Sequence, residues 1–224
     1  MRPLQFLRKS NRIAAATERR VNLGCGLNAV EGWLNLDRSP NLVLDRAYLL
    51  KVLLRRMGLL SDGHMARWPR NVVLHDVRRG LPLQDGAAEA IYSSHMLEHL
   101  HFEDASKVLN ECVRVLQPGG IIRLALPDAL EVARRLVEGD GSERASRRFN
   151  DDLNAYPNRR PGWTGFLTSS PGHRWQPTAS LVAAMLRQAG FVEVREWVFQ
   201  KGELPDLEKV EHRLESIFLE GRRP

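Results

Sequence analysis

The chain has 224 residues, 43% of them hydrophobic, which suits one domain with a real core and is a squeeze for two. No run approaches the ~18 consecutive apolar residues of a membrane-spanning helix, and two cysteines, Cys25 and Cys112, imply no disulfide framework. The net charge of +6 rests on 28 Arg and 5 Lys scattered along the chain, so a solvated basic surface explains it ahead of a phosphate-bearing partner.

In chain order, the first twenty residues come first, with six Arg or Lys beside Leu4, Phe6, Leu7 and Ile13. They lack the long apolar core and cleavage region of a signal peptide, and a cytoplasmic location is expected. Residues 1–19 read as a basic helix or arm that packs on the domain or, alternatively, makes peripheral contact with a membrane surface. Strand patterns follow at 20–24, 33–37, 71–75, 90–94 and 120–126, and helix patterns at 44–57, 103–116, 128–138 and 178–189. Their alternation predicts an α/β fold with a mostly parallel sheet.

In the helix over 103–116, Ala105, Val108, Leu109, Cys112 and Leu116 form one apolar face, and Glu103 and Asp104 favour its first turn. "QPGG" stops it. Thr178 and Gly190 bracket the helix at 178–189 as cap and stop. Two inserts break the rhythm, 38–70 with its apolar-basic "YLLKVLLRRMGLL" and 140–177, rich in Arg, Asn, Pro and Gly. Both are expected on the substrate side of a single domain spanning 1–224, with Trp163, Phe166 and Trp175 either walling a sugar groove or packing a loop. "FVEVREWVFQ" and "LESIFLEGRRP" read as two closing strands with a long connection.

The stretch "VNLGCGLNAVEGWLNLD" poses the functional question. Gly24 and Gly26 flank Cys25 and let the backbone turn tightly against a ligand. A dinucleotide fingerprint would need a third glycine where Ala29 stands, and an acid ~20 residues on. Asp37 follows Gly24 by only 13 positions, and at most one helical turn fits between the strands.

With "LHDVRRGLPLQDGAAEAIYSSHMLEHL" and "ECVRVLQPGGIIRLALPD", this stretch resembles the class I S-adenosylmethionine (SAM)-dependent methyltransferases. "SSHMLEHL", "GHRW" and "ESIFLEGRRP" are similar to a bacterial subgroup with a shortened first helix, often associated with polysaccharide biosynthesis. The resemblance implies a Rossmann-like sheet with an antiparallel C-terminal strand, SAM as cofactor, and a small-molecule acceptor such as a glycan or glycolipid. It places Gly24, Cys25, Gly26 and Ser94 against the cofactor, with the turn's N–H groups meeting the methionine carboxylate. Asp37 would hold the ribose hydroxyls, and Asp76 and Val77 the adenine. Cys25 reads as a small turn residue, not a nucleophile.

His95, Glu98 and His99 share the i, i+3, i+4 spacing of one helix face. H-x-x-E-H is a zinc-protease motif, but a methyltransferase frame rejects it. Magnesium-dependent O-methyltransferases of this fold carry Glu where His95 stands, which weakens a hard-cation site, even with His173 as a further ligand. No metal is assigned. A structural tie and an acid–base role remain, and His95 and His99 are the catalytic candidates because an unperturbed imidazole titrates near neutrality. Nucleic acid is not expected as substrate, since no [DN]-P-P-[YFW] motif follows the fourth strand. A non-catalytic SAM-binding module is the other alternative.

Overall fold

Period-two alternation of Val21, Leu23, Leu34, Leu36, Ile91, Ile122 and Leu124 puts these side chains on one face of a sheet, where all are buried. The strands are β1 (Arg20–Leu23), β2 (Leu34–Asp37), β3 (Val72–Leu74), β4 (Ala88–Ser94), β5 (Leu116–Leu126), β6 (Val192–Trp197) and β7 (Ile217–Arg222). In the computed structural model, which describes residues 18–153 and 172–224, they form one sheet in the order β3-β2-β1-β4-β5-β7-β6. β1 to β5 are parallel, and β7 runs antiparallel to both β5 and β6. The expected α/β architecture and closing strands are therefore present. The order reverses at β1, so the carboxyl ends of β1, β2 and β4 flank a switch point where open α/β sheets bind ligands.

The helices are α1 (Pro40–Arg46), α2 (Tyr48–Arg56), α3 (Phe102–Val115), α4 (Ala129–Glu138), α5 (Glu143–Asp152), α6 (Ala179–Ala189) and α7 (Leu207–Val210). α3 buries Ala105, Val108, Leu109, Cys112 and Val115, and α6 buries Val182, Met185 and Leu186 against the same sheet face. Each large apolar side chain so buried contributes ~1.5–3 kcal/mol. Thr178 accepts from Leu181 N–H at 3.3 Å, and Gly190, at φ 105°, ends α6 in the left-handed region.

One expectation is corrected, and two segments hold more regular structure than the sequence pattern indicates. The helix expected over 44–57 is two helices, because Ser39 caps a first one that begins at Pro40 and Ala47 breaks the path at φ −97°, ψ 53°. The break lets Lys51, fully buried, reach Asp45 at 2.8 Å and the Ala66 carbonyl at 2.7 Å. "QPGG" does not lie outside the regular elements: α3 stops at Val115 and β5 already runs through it, a register shift absorbing the glycines. The 140–177 insert holds α5, capped by Ser142. Residues 1–17, Tyr156, Trp163 and Phe166 lie outside the described residues. Among the described residues no helix is long and apolar enough to cross a membrane.

The opposite sheet face has no helix between β1 and β2, and two buried asparagines take its place. Asn35 Oδ1 accepts from Val30 N–H at 3.0 Å and Asn22 Nδ2 at 3.2 Å. Its Nδ2 donates to the carbonyls of Val30 and Trp33, both at 2.8 Å, and Asn22 Nδ2 also reaches the Asn28 carbonyl at 3.1 Å. Val30 and Trp33 then pack with Tyr92, Leu204, Leu207 and Phe218. Truncating Asn35 strands a buried amide and carbonyls at ~1–3 kcal/mol each. Asn35→Ala is expected to lose about 3 kcal/mol in urea unfolding; a change below about 0.5 kcal/mol would show that the connection is held some other way.

Candidate functional site

The turn after β1 is built by positive φ at Gly24 (65°) and Gly26 (55°). A Cβ on Gly24 would stand 2.5 Å from Met96 Cγ, so this position needs glycine for its space as well as its dihedral. Gly24 and Cys25 N–H donate to the Leu36 carbonyl at 2.8 and 3.3 Å, and Gly26 N–H donates to Asp37 Oδ2 at 2.8 Å. The three amides expected to meet a methionine carboxylate are therefore already engaged within the fold. What the turn offers a ligand is close approach. Cys25 is buried, and burial, followed by the charge of Asp37, pushes its thiol up to about 12, which suits a turn residue.

Asp37 ends β2 facing this turn. Its Oδ1 accepts from Ser39 N–H at 2.6 Å. A carboxylate offers about four acceptor positions, and two remain here for a ligand's hydroxyls. Asp76 lies close by: Asp37 pairs with Leu74 across β2 and β3, and His75 N–H donates to the Asp37 carbonyl at 2.9 Å. Asp76 is fully engaged. Arg78 grips it through Nε at 2.9 Å, Nη2 at 2.7 Å and its N–H at 3.2 Å, with Arg38 at 3.4 Å. The Arg78 side chain, opposed by partial burial, holds the Asp76 carboxyl down at about 2. An adenine amino group would have to displace Arg78. Val77 begins the 3-10 turn Val77–Arg79 that Asp76 caps, where first-turn N–H groups lack internal partners.

Ser94 ends β4, and His95 follows in the left-handed region at φ 48°, its N–H donating to the Ala125 carbonyl at 2.9 Å. The 3-10 turn Leu97–His99 comes next. His95, Glu98 and His99 thus do not share a helix face, yet the turn gathers them. His95 Nε2 stands 2.9 Å from Ser216 Oγ and its Nδ1 3.6 Å from Glu98 Oε1. Burial, with the Arg213 charge second, lowers His95 to about 3, so the imidazole is neutral across the physiological range instead of titrating near it. Burial pushes the Glu98 carboxyl up to about 7.

His173 joins this group from far along the chain. Arg174 N–H donates to the Glu98 carbonyl at 2.8 Å, Arg174 Nε to the His99 carbonyl at 3.1 Å and Trp175 Nε1 to the Leu97 carbonyl at 3.3 Å. Trp175 also meets Phe102 edge-to-face with ring centroids 5.6 Å apart. It is a packing residue that docks 173–175 onto the turn, not a groove wall. Ser216 and Arg213 escaped the sequence reading, because only the β6–β7 connection brings them here.

A cavity of about 610 Å³ is lined by Leu42, Arg46, Tyr48, Arg67 and Trp68. Leu42 and Trp68 belong to the apolar cluster that also holds Cys25 of the glycine turn.

Residues 22–124 match the profile of the methyltransferase domain family. That span, less than half of this chain, is similar to a methyltransferase domain, and the match supports S-adenosylmethionine as cofactor. A probable S-adenosylmethionine-dependent methyltransferase of Mycolicibacterium smegmatis is 34% identical over 65 residues, 29% of this chain. The match takes in only 24% of that relative's length. Among solved structures, a SAM-dependent methyltransferase of Methanosarcina mazei superposes with a TM-score of 0.50 at 13% identity, covering 91% of each chain. One from Mesorhizobium loti gives 0.47 at 18% identity over 92% of this chain and 90% of its own. At 13% identity the Methanosarcina mazei likeness speaks for the fold alone, and it agrees with the observed sheet.

Two measurements probe the candidate site. Gly24→Ala meets both a forbidden φ and the Met96 side chain, so SAM affinity should fall at least tenfold by calorimetry while the far-ultraviolet spectrum stays that of the wild type; unchanged affinity would remove the turn from the site. Asp76 is held below its ordinary value, so its ion pair stabilises the fold above about pH 4 and that contribution disappears as pH falls toward 2. With its arginines partly exposed, the contribution is of order 1 kcal/mol. The stability difference between wild type and Asp76→Asn should close over that acid range, and a constant difference would refute the pairing.

Proposed function

We propose that the protein is a SAM-dependent methyltransferase that O-methylates a saccharide, glycolipid or other small hydroxyl-bearing acceptor. One observation carries this reading: a glycine turn tied to Asp37 adjoins a half-buried imidazole at the carboxyl ends of neighbouring strands. Asp37 would take the ribose hydroxyls, Val77 N–H the adenine edge, with Asp76 joining it only by releasing Arg78, and Ser94 would line the path between cofactor and acceptor. The saccharide assignment draws on the resemblance of "SSHMLEHL" and "GHRW" to the polysaccharide-associated subgroup. Two buried free thiols, Cys25 and Cys112, suit the reducing cytoplasm in which we place it.

Methyl transfer needs the acceptor oxygen in line with the S–CH3 bond at ~3–3.5 Å. As the O–C bond forms, the S–C pair returns to sulfur and leaves a neutral thioether. The oxygen becomes oxonium-like and strongly acidic, so even a weak base can take its proton. His95 is fixed on its Nε2 side by Ser216 and is uncharged, the form able to accept that proton. Its left-handed backbone at φ 48° is a strain that sites of this kind carry. His99 stands beside it as the second catalytic candidate.

The test is transfer of labelled methyl from SAM to a panel of saccharides and glycolipids, with RNA and DNA as competing acceptors. His95→Ala is expected to lower turnover at least tenfold while SAM affinity stays within twofold. Unchanged turnover would remove His95 from the mechanism. Labelling of nucleic acid alone would replace the acceptor class, and SAM binding without transfer to any acceptor would leave a binding module.

A further inference from the structure

Glu98 has no solvent exposure, and neither of its carboxylate oxygens has a hydrogen-bond partner among the described residues. Its neighbours stand just outside bonding range, His95 Nδ1 at 3.6 Å and His173 Nε2 at 4.0 Å, both from Oε1. Buried carboxylates are ordinarily paired, hydrogen-bonded or bound to a metal. Here the surrounding groups offer lone pairs as readily as protons. One ligand atom from each of Glu98, His99 and His173 lies within 4.8 Å of the other two, and the His99 and His173 rings meet at 5.0 Å and 64°. His173 Nδ1 is likewise buried with no hydrogen-bond partner in bonding geometry among the described residues, the Gln176 side chain being a polar neighbour of the ring.

We infer that Glu98, His99 and His173 form a two-histidine, one-carboxylate site for a divalent transition-metal ion such as zinc. Two nitrogens and one oxygen are the donor set that imidazole-preferring metals take, and three protein ligands leave a coordination position open. Metal–ligand bonds of ~2.0–2.2 Å require the three atoms to close by shifts of order 1 Å. The frame to hold them is present. Arg174 N–H, Arg174 Nε and Trp175 Nε1 staple the His173 segment to the carbonyls of Glu98, His99 and Leu97. His95, oriented by Ser216, lies near the same carboxylate oxygen and is a neighbour of the ion, not one of its ligands.

Glu98 and His99 follow directly on β4, at the rim where the acceptor is placed. If the methyltransferase reading holds, an acceptor hydroxyl would occupy the open position, and the ion's charge would make its proton easier to release. The metal site itself does not depend on that reading.

The experiment uses untagged full-length protein, stripped of metal by dialysis against a chelator and titrated with Co²⁺. Binding is followed by equilibrium dialysis and by the visible absorption of the bound ion, and Zn²⁺ should displace it. One Co²⁺ per chain is expected. Glu98→Gln, which keeps the side chain's shape, and His173→Ala should each weaken binding at least tenfold, and exposed His101→Ala should leave it within twofold. Thermal unfolding of the metal-free variants verifies that they are folded. The proposal is overturned if the wild type binds Co²⁺ no more tightly than Glu98→Gln and His173→Ala, or if His101→Ala weakens binding as much as they do. SAM binding and methyl transfer are measured separately. A bound metal with no transfer would sink the methyltransferase reading alone, and transfer without a metal would sink this one alone.

Discussion

The cofactor rim depends on how ten residues, 24–33, cross from β1 to β2 with no helix to satisfy their backbone. A buried loop must place every N–H and C=O group somewhere. Asn35 performs this task with all four of its hydrogen-bonding positions, two as acceptor and two as donor, and Asn22 extends the network by one carbonyl. Both side chains lie on the sheet face opposite Leu23 and Leu36, the face on which a crossover helix would otherwise pack. Because the asparagines belong to β1 and β2 themselves, they fix the loop relative to the strands that carry the Gly24 turn and Asp37. Cofactor geometry and core packing are thus one construction here.

A second buried polar anchor completes that face. Arg123, in β5 and fully buried, bonds Glu211 through Nε, Glu220 and the Lys201 carbonyl through Nη1, and the Val198 carbonyl through Nη2. Glu220 in turn accepts from the N–H groups of Glu203 and Leu204, and Glu211 from that of Gln200. An apolar replacement of similar volume could match such a network in stability, but it could not specify the path of the β6–β7 connection. That path is what matters for the site. It covers Tyr92 and Ala125 with Leu204, Leu207 and Val210, and it ends by setting Ser216 against His95.

How much could be read beforehand follows from the physics of each element. Strands and the α3 and α6 helices announce themselves because apolar periodicity of two or near 3.6 is a local property. The Gly24 turn and Asp37 were legible for a related reason: tight turns and strand-end acids are short-range signals. Lys51 was not. In α2 the lysine points inward to Asp45 while Leu49, Leu53 and Met57 stand exposed, inverting the polarity that the pattern suggests. Asn22, Asn35 and Arg123 were missed because a polar residue inside a strand pattern reads as solvent-facing unless its distant partners are known. The His95–Glu98–His99 spacing correctly marked a cluster but for the wrong local reason, since a left-handed residue and a 3-10 turn, not a helix face, bring the groups together.

The two halves of the rim obey opposite rules. On the cofactor side the amides of Gly24, Cys25 and Gly26 are bonded, and Asp37 keeps spare acceptor capacity only toward the open edge. Beside β4 the chain instead buries a carboxylate with no partner and surrounds it with imidazoles. An unpaired buried acid costs several kcal/mol, a large share of the ~5–15 kcal/mol by which a domain is stable. An apolar side chain would relieve that cost, and Arg174 and Trp175 could still staple the segment through backbone carbonyls alone. The carboxylate is therefore not what holds the turn together. Its place in the structure makes sense when the missing partner is a cation supplied from outside the chain, bound next to the His95 imidazole.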